Sequence, residues 1–185
     1  MDAQQAATSN GPEGLEFSVH GHPNADTLLL WHPDARTDPE GVARLASRIA
    51  GRSNLRVVLP RWSDGRDLLR SVRFARESSV HPPDALSVVG YGEAGIAALS
   101  LALNQRRLGI GLTRVTCVDG GADLADPISG QPLNDPTPTP VPTEVDVVEA
   151  ADPAWASATV EAWSTAGWTA SLIPADQFTW RLDTT

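Results

Sequence analysis

The sequence predicts an α/β protein: a three-layer α/β/α sandwich around a mainly parallel β-sheet. Three observations carry that prediction. Short apolar, β-branched runs recur at 27–31, 56–59, 86–89, 114–118, 144–148 and 169–173, each the length of a strand buried on both faces. Amphipathic helical segments stand between most of these runs, which is the rhythm of parallel strands joined by crossover helices. The stretch 86–103, LSVVGYGEAGIAALSLAL, shows one whole unit. Its strand stops at Gly90-Tyr91-Gly92, and Ile96, Leu99 and Leu103 repeat at helical spacing behind Glu93.

Taken in order, residues 1–14 (MDAQQAATSNGPEG) are polar and read as a disordered N-terminal tail, leaving 15–185 as a single domain. Residues 15–20 (LEFSVH) alternate and suit an edge strand. The run 27–31 (TLLLW) ends in His32-Pro33-Asp34. Asp38-Pro39-Glu40 is a helix start, an N-cap followed by proline at the first helical position. Val42, Leu45, Ala46 and Ile49 line one face of that helix, which stops at Gly51. The strand 56–59 is closed by Pro60 and followed by the loop Arg61-Trp62-Ser63-Asp64-Gly65. Asp67 opens a second amphipathic helix carrying Leu68, Leu69, Val72 and Phe74. The strand 114–118 ends in Asp119-Gly120-Gly121. Residues 122–143 hold six prolines and read as a Pro-rich surface loop. The strand 144–148, a helix over 154–166 and the strand 169–173 complete the set, with Asp176, Gln177 and Phe178 just beyond.

The formal net charge is −9, and every basic residue is arginine. An acidic chain without a basic stripe excludes nucleic acid as the natural partner. The absence of lysine points to a GC-rich bacterial genome. No apolar run is long enough to span a bilayer, and the start lacks a signal sequence, so the expected location is cytoplasmic, without membrane attachment. The single cysteine, Cys117, lies in an apolar strand as a small buried hydrophobe, and the fold owes nothing to disulfides.

In parallel sheets ligands sit outside the carboxyl ends of the strands. The residues there form the candidate binding pocket: His32, Asp34, Trp62, Tyr91, Glu93, Asp119, Trp155 and Phe178. The histidines lack the spacing of a zinc site, and the acidic loop residues suit turn capping better than a hard cation. Neither a metal nor a cofactor is expected. A helix N-terminus behind a glycine-rich turn remains a natural place for an anion.

Four segments, in order, resemble the α/β-hydrolases, in particular the small lidless esterases and dienelactone hydrolases. TLLLWHPDA resembles the strand and oxyanion loop, and LSVVGYGEAGIAAL the nucleophile elbow. VDVVEAADPAW resembles the strand and acid loop, and SLIPADQFTW the last strand and histidine loop. The resemblance places the triad at Gly92, Asp152 and Gln177. Asp152 is the acid. Gly92 stands where the serine belongs and Gln177 where the histidine belongs. Serine hydrolysis needs a hydroxyl to attack and an imidazole to take its proton, so the resemblance implies a degenerate triad. The backbone N–H of Glu93 remains as one oxyanion donor, whereas Pro33 removes a donor near His32. The reading is a non-catalytic binding or scaffolding pseudo-hydrolase, with its small-molecule ligand or protein partner unnamed. Two alternatives stand beside it. One is an active carboxylic-ester hydrolase with atypical catalytic residues. The other is a nucleotide-binding protein using GYGEAG as G-x-G-x-x-G, with Asp119 as the ribose-binding acid.

Overall fold

The elements follow one another as β1 (Ala7–Asn10), β2 (Glu16–His20), β3 (Asp26–Trp31), α1 (Pro39–Ser53), β4 (Leu55–Pro60), α2 (Gly65–Ser78), β5 (Leu86–Tyr91), α3 (Glu93–Asn104), β6 (Leu112–Val118), β7 (Glu144–Glu149), α4 (Pro153–Thr165) and β8 (Thr169–Pro174). This is a computed structural model, describing residues 7–10, 15–81, 85–138 and 142–182. The strands form one sheet in the order β1-β2-β4-β3-β5-β6-β7-β8. β1 and β2 pair antiparallel, and β3 to β8 run parallel. Among the described residues no helix is long and apolar enough to cross a membrane.

The helices start where side chains cap them. Asp38, Asp64 and Asp152 each accept from a backbone N–H three residues on, at Gly41, Asp67 and Trp155, satisfying donors that the first helical turn leaves open. α2 begins at Gly65 rather than at Asp67. The reason is the cap: Asp64 Oδ1 accepts from Asp67 N, and the Pro127 carbonyl oxygen, 2.2 Å from where a Cβ on Gly65 would be, packs on that helix start. That segment is ordered where it is described. Asp126 closes a turn by accepting from Ile128 N, and Trp168 Nε1 donates to Thr137 O.

Two expectations at the N-terminal edge need correction. Part of the expected tail, Ala7–Asn10, is a strand, while 1–6 and 11–14 lie outside the described residues. That strand covers β2, so the segment at 15–20 is second from the edge, not the edge itself. Short polar strands carry no apolar signature, which is why composition alone hides β1.

Strand alternation assigns the layers. Leu29, Trp31, Val58, Val88, Val115, Cys117, Val145 and Val147 face one side and are all buried. α2, α3 and α4 cover that side: Trp31 Nε1 donates to Ser71 Oγ on α2, Gly95 of α3 presses on Cys117 Sγ, and α4 packs on β7 and β8. α1 lies on the other side, where His20 Nδ1 meets Ser47 Oγ, and covers β2 and β4. Each buried Leu, Val or Trp contributes roughly 1.5–3 kcal/mol, so this two-sided core fixes the strand ends in space.

Candidate functional site

The turn after β5 is made of three glycines with different duties. A Cβ on Gly90 would lie 2.2 Å from Ala94 O, and one on Gly95 would lie 2.8 Å from Cys117 Sγ and 3.0 Å from Gly90 O. Strand and helix pass too closely there for any side chain. Gly92 is the opposite case. Its Cβ would meet nothing within 4 Å, but its backbone stands at φ 61° and ψ −128°, a conformation other residues adopt only under strain. The Gly92 N–H donates to Val118 O at 2.7 Å, and its carbonyl accepts from Gly95 N at 2.9 Å. A side chain at this tip would stand clear of its neighbours at the start of α3. Glycine supplies none.

Asp152 lies close by, across the segment 118–122. Its Oδ1 accepts from Trp155 N at 3.1 Å and its Oδ2 from Ala122 N at 3.3 Å. One oxygen caps α4; the other pins the loop after β6. Gln177 ends a 3-10 turn (Ala175–Gln177) after β8 and is exposed. It lines a cavity with Ser87, Arg114, Thr116 and Asp146, to which Asp152 does not belong. Both carboxylate oxygens of Asp152 are thus engaged by backbone, and Gln177 is not a partner of either.

The other predicted residues divide into groups. His32, Tyr91 and Phe178 form an aromatic row, with ring centroids 4.7 Å and 6.4 Å apart, and Trp180 extends it at 6.1 Å. Trp62 Nε1 donates to His32 O at 2.9 Å, and Asp34 N donates to His32 Nδ1 at 3.0 Å. That acceptor role assigns the neutral ring's proton to Nε2. Burial pushes the His32 pKa down, against the opposing pull of Asp34, Asp119 and Asp38. The Tyr91 hydroxyl donates to Trp180 O, and burial raises its phenol well above the ordinary range. Asp119, at a φ of 57°, pairs with Arg181, whose guanidinium also lies 5.7 Å from the Phe178 ring centroid. Trp155 stands apart from this row, its ring 2.7 Å from where a Cβ on Gly120 would be. Glu93 is exposed in the first turn of α3, where the helix dipole favours an acid.

Trp180 and Arg181 were not singled out by sequence, yet they close the aromatic row and neutralise Asp119. No local pattern announces them, because their partners lie 62 and 89 positions earlier. The polar residues of the cavity did leave a signal: Ser87, Arg114, Thr116 and Asp146 interrupt runs that a doubly covered parallel strand keeps apolar.

Other nucleophilic side chains stand in settings of their own. Cys117 is fully buried, and burial pushes its thiol up to about 12. The Ser63 hydroxyl donates to Asp67 Oδ2 at 2.9 Å. Ser18 and Ser47 flank His20 at 3.0 Å and 2.9 Å, on the α1 side of β2. Among the described residues no group of three His, Cys, Asp or Glu side chains is placed to hold a metal ion.

No sequence-family profile matches the chain, and no curated protein matches it in sequence. Solved structures do match in shape. An arylesterase superposes with a TM-score of 0.67 at 12% identity, over 94% of this chain and 75% of the other. A hyperthermophilic esterase from the archaeon Pyrobaculum calidifontis gives 0.64 at 13%, over 95% and 75%. A Klebsiella pneumoniae protein assigned as a dienelactone hydrolase gives 0.68 at 13%, over 94% and 85%. At such identities the likeness is one of architecture: the chain has an α/β-hydrolase-like fold.

Proposed function

We propose that this protein is a non-catalytic binding or scaffolding pseudo-hydrolase. The observation that carries the reading is the tip of the turn after β5, which keeps the strained backbone of a nucleophile elbow with glycine in place of the nucleophile. Acyl transfer through this site would need an attacking hydroxyl and a base to accept its proton. Gly92 offers no hydroxyl, and the amide of Gln177 neither takes nor returns a proton near neutral pH. Asp152 serves instead as a helix cap and loop tie. The dinucleotide reading has less support. Gly90 and Gly95 are explained by close packing, and Asp119 is held by Arg181 rather than left for a ribose.

The test is hydrolysis of p-nitrophenyl acetate and butyrate by the purified protein. The expected outcome is no turnover above buffer that survives repurification. Saturable turnover that disappears in Asp152→Ala would reinstate an enzyme at the strand ends. Turnover lost in His20→Gln would instead assign it to the Ser18–His20–Ser47 group, and either result overturns the reading.

A further inference from the structure

Across its centre, at Val88, Val115, Cys117, Val145 and Val147, the side of the sheet facing α2, α3 and α4 is apolar, with the polar pair Thr27 and Arg56 only at the start of β3 and β4. The side facing α1 is not. Ser87 on β5 lies beside Arg114 on β6, and Thr116 on β6 lies beside Asp146 on β7. α1 covers β2 and β4 at one end of this side. Over the other end runs the segment that follows β8, tied to Tyr91 through Trp180 O and to Arg48 of α1 through Arg181 O. Between it and the sheet lies an open-sided cavity of about 400 Å³, a size suited to a small ligand. Ser87, Thr116, Arg114 and Asp146 line it on the sheet, and Phe178 and Trp180 on the crossing segment.

The chemistry of this cavity is one-sided. Arg114 donates to Asp146 Oδ2 at 2.9 Å and also to Glu144, so its guanidinium is shared by two carboxylates and the cluster carries net negative charge. Thr116 is only 6% exposed and Asp146 only 7%. Among the described residues the Thr116 hydroxyl has no hydrogen-bond partner, and Asp146 Oδ1 accepts from none. These two oxygens open into the cavity and are not sealed in the core, so they are free to take a polar guest. Ser87 and Gln177 add an unpartnered hydroxyl and amide to the same space. An anion entering would meet two carboxylates and an arginine already spent on them.

We propose that this cavity binds a small organic cation, a primary ammonium or amidinium carried on a flat apolar body. The cationic head donates to Asp146 Oδ1 and to the Thr116 and Ser87 hydroxyls, which supply the acceptors its N–H groups require. The apolar body rests beside Phe178, whose ring already carries Arg181, and beside Trp180, whose ring face attracts a neighbouring cation. Burial raises the Asp146 pKa, opposed by Arg114 and reinforced by Glu144; a bound cation draws it back down. The site shares Phe178 and Trp180 with the aromatic row but does not include Gly92, and it does not depend on whether the turn there is catalytic.

The experiment titrates the full chain with 2-phenylethylammonium and benzamidinium, using phenylacetate and benzyl alcohol as the anionic and neutral matches. Amide chemical shifts and tryptophan fluorescence report binding. Both cations are expected to saturate, with shifts centred on Ser87, Thr116, Asp146 and Trp180. Asp146→Asn is expected to raise Kd about tenfold or more. Because that change also releases Arg114, Thr116→Val is measured alongside it; it keeps the volume, touches no ion pair and is expected to weaken binding to a smaller extent. The proposal is overturned if neither cation saturates, if phenylacetate binds as tightly, if the shifts centre elsewhere, or if the folded variants bind as the wild type does.

Discussion

A Cβ on Gly90 would come within 2.2 Å of one backbone oxygen and 2.8 Å of a backbone nitrogen, whereas a Cβ on Gly92 would touch nothing. The two positions therefore answer differently to the same kind of substitution. Gly92→Ser is expected to fold at a cost of about 1–3 kcal/mol, the range for a residue held in a sparsely populated backbone region. Gly90→Ala is expected to cost about 3 kcal/mol or more, because the clash is with backbone that cannot swing aside. Urea unfolding of the two variants checks the order, and equal losses would contradict it. The letters GYGEAG displayed the turn, but not which glycine was steric and which conformational. That distinction depends on Ala94, Cys117 and a ψ of −128°, none of which a one-dimensional pattern contains.

Helix starts form the next level, and here the local code served well. Asp38 before Pro39 is legible as a cap because capping is a contact between residues three apart, whereas Asp152, which the sequence offers as the acid of the resemblance, caps α4 in the same way. Asp67 reads as a helix start in the sequence, but it is the residue that accepts from Ser63 N and Oγ while Asp64 caps. Desolvation of its carboxyl is outweighed by those bonds and by Arg70, and its pKa is drawn down. Asp64→Ala should cost about 1 kcal/mol. Asp152→Ala should cost more, since its second oxygen also holds Ala122 N, while Asp152→Asn should retain most of the stability. Thermal unfolding of the three variants decides this, and an Asn as damaging as Ala would show that Asp152 does something other than cap and tie. β1 was missed because a four-residue polar strand is stabilised by β2, not by its own sequence.

For the molecule as a whole, the sandwich was readable because its six central runs are apolar and its helices are spaced between them. The candidate site was readable only in part. His32, Tyr91, Asp119 and Phe178 come together as strand-end reasoning implies, but Trp180 and Arg181 complete the group from the far end of the chain. The fold also buries charge-sensitive groups. Burial lowers the pKa of His20 and of His32, so the unfolded chain takes up those protons more readily than the folded one. Their contribution to stability is complete above the ordinary histidine range and is lost as pH falls through it. The melting temperature should therefore drop between about pH 7 and pH 5, with a shallower slope in His20→Gln; a flat or rising profile would contradict the burial of these rings. The pseudo-hydrolase reading hangs on the empty tip at Gly92. Intact-mass measurement after prolonged exposure of the folded protein to a fluorophosphonate probe addresses that tip without any assumption about substrate. An emptied elbow predicts an unmodified mass. A stoichiometric adduct on a serine, abolished by heat unfolding before exposure, would show an activated nucleophile and contradict the pseudo-hydrolase reading.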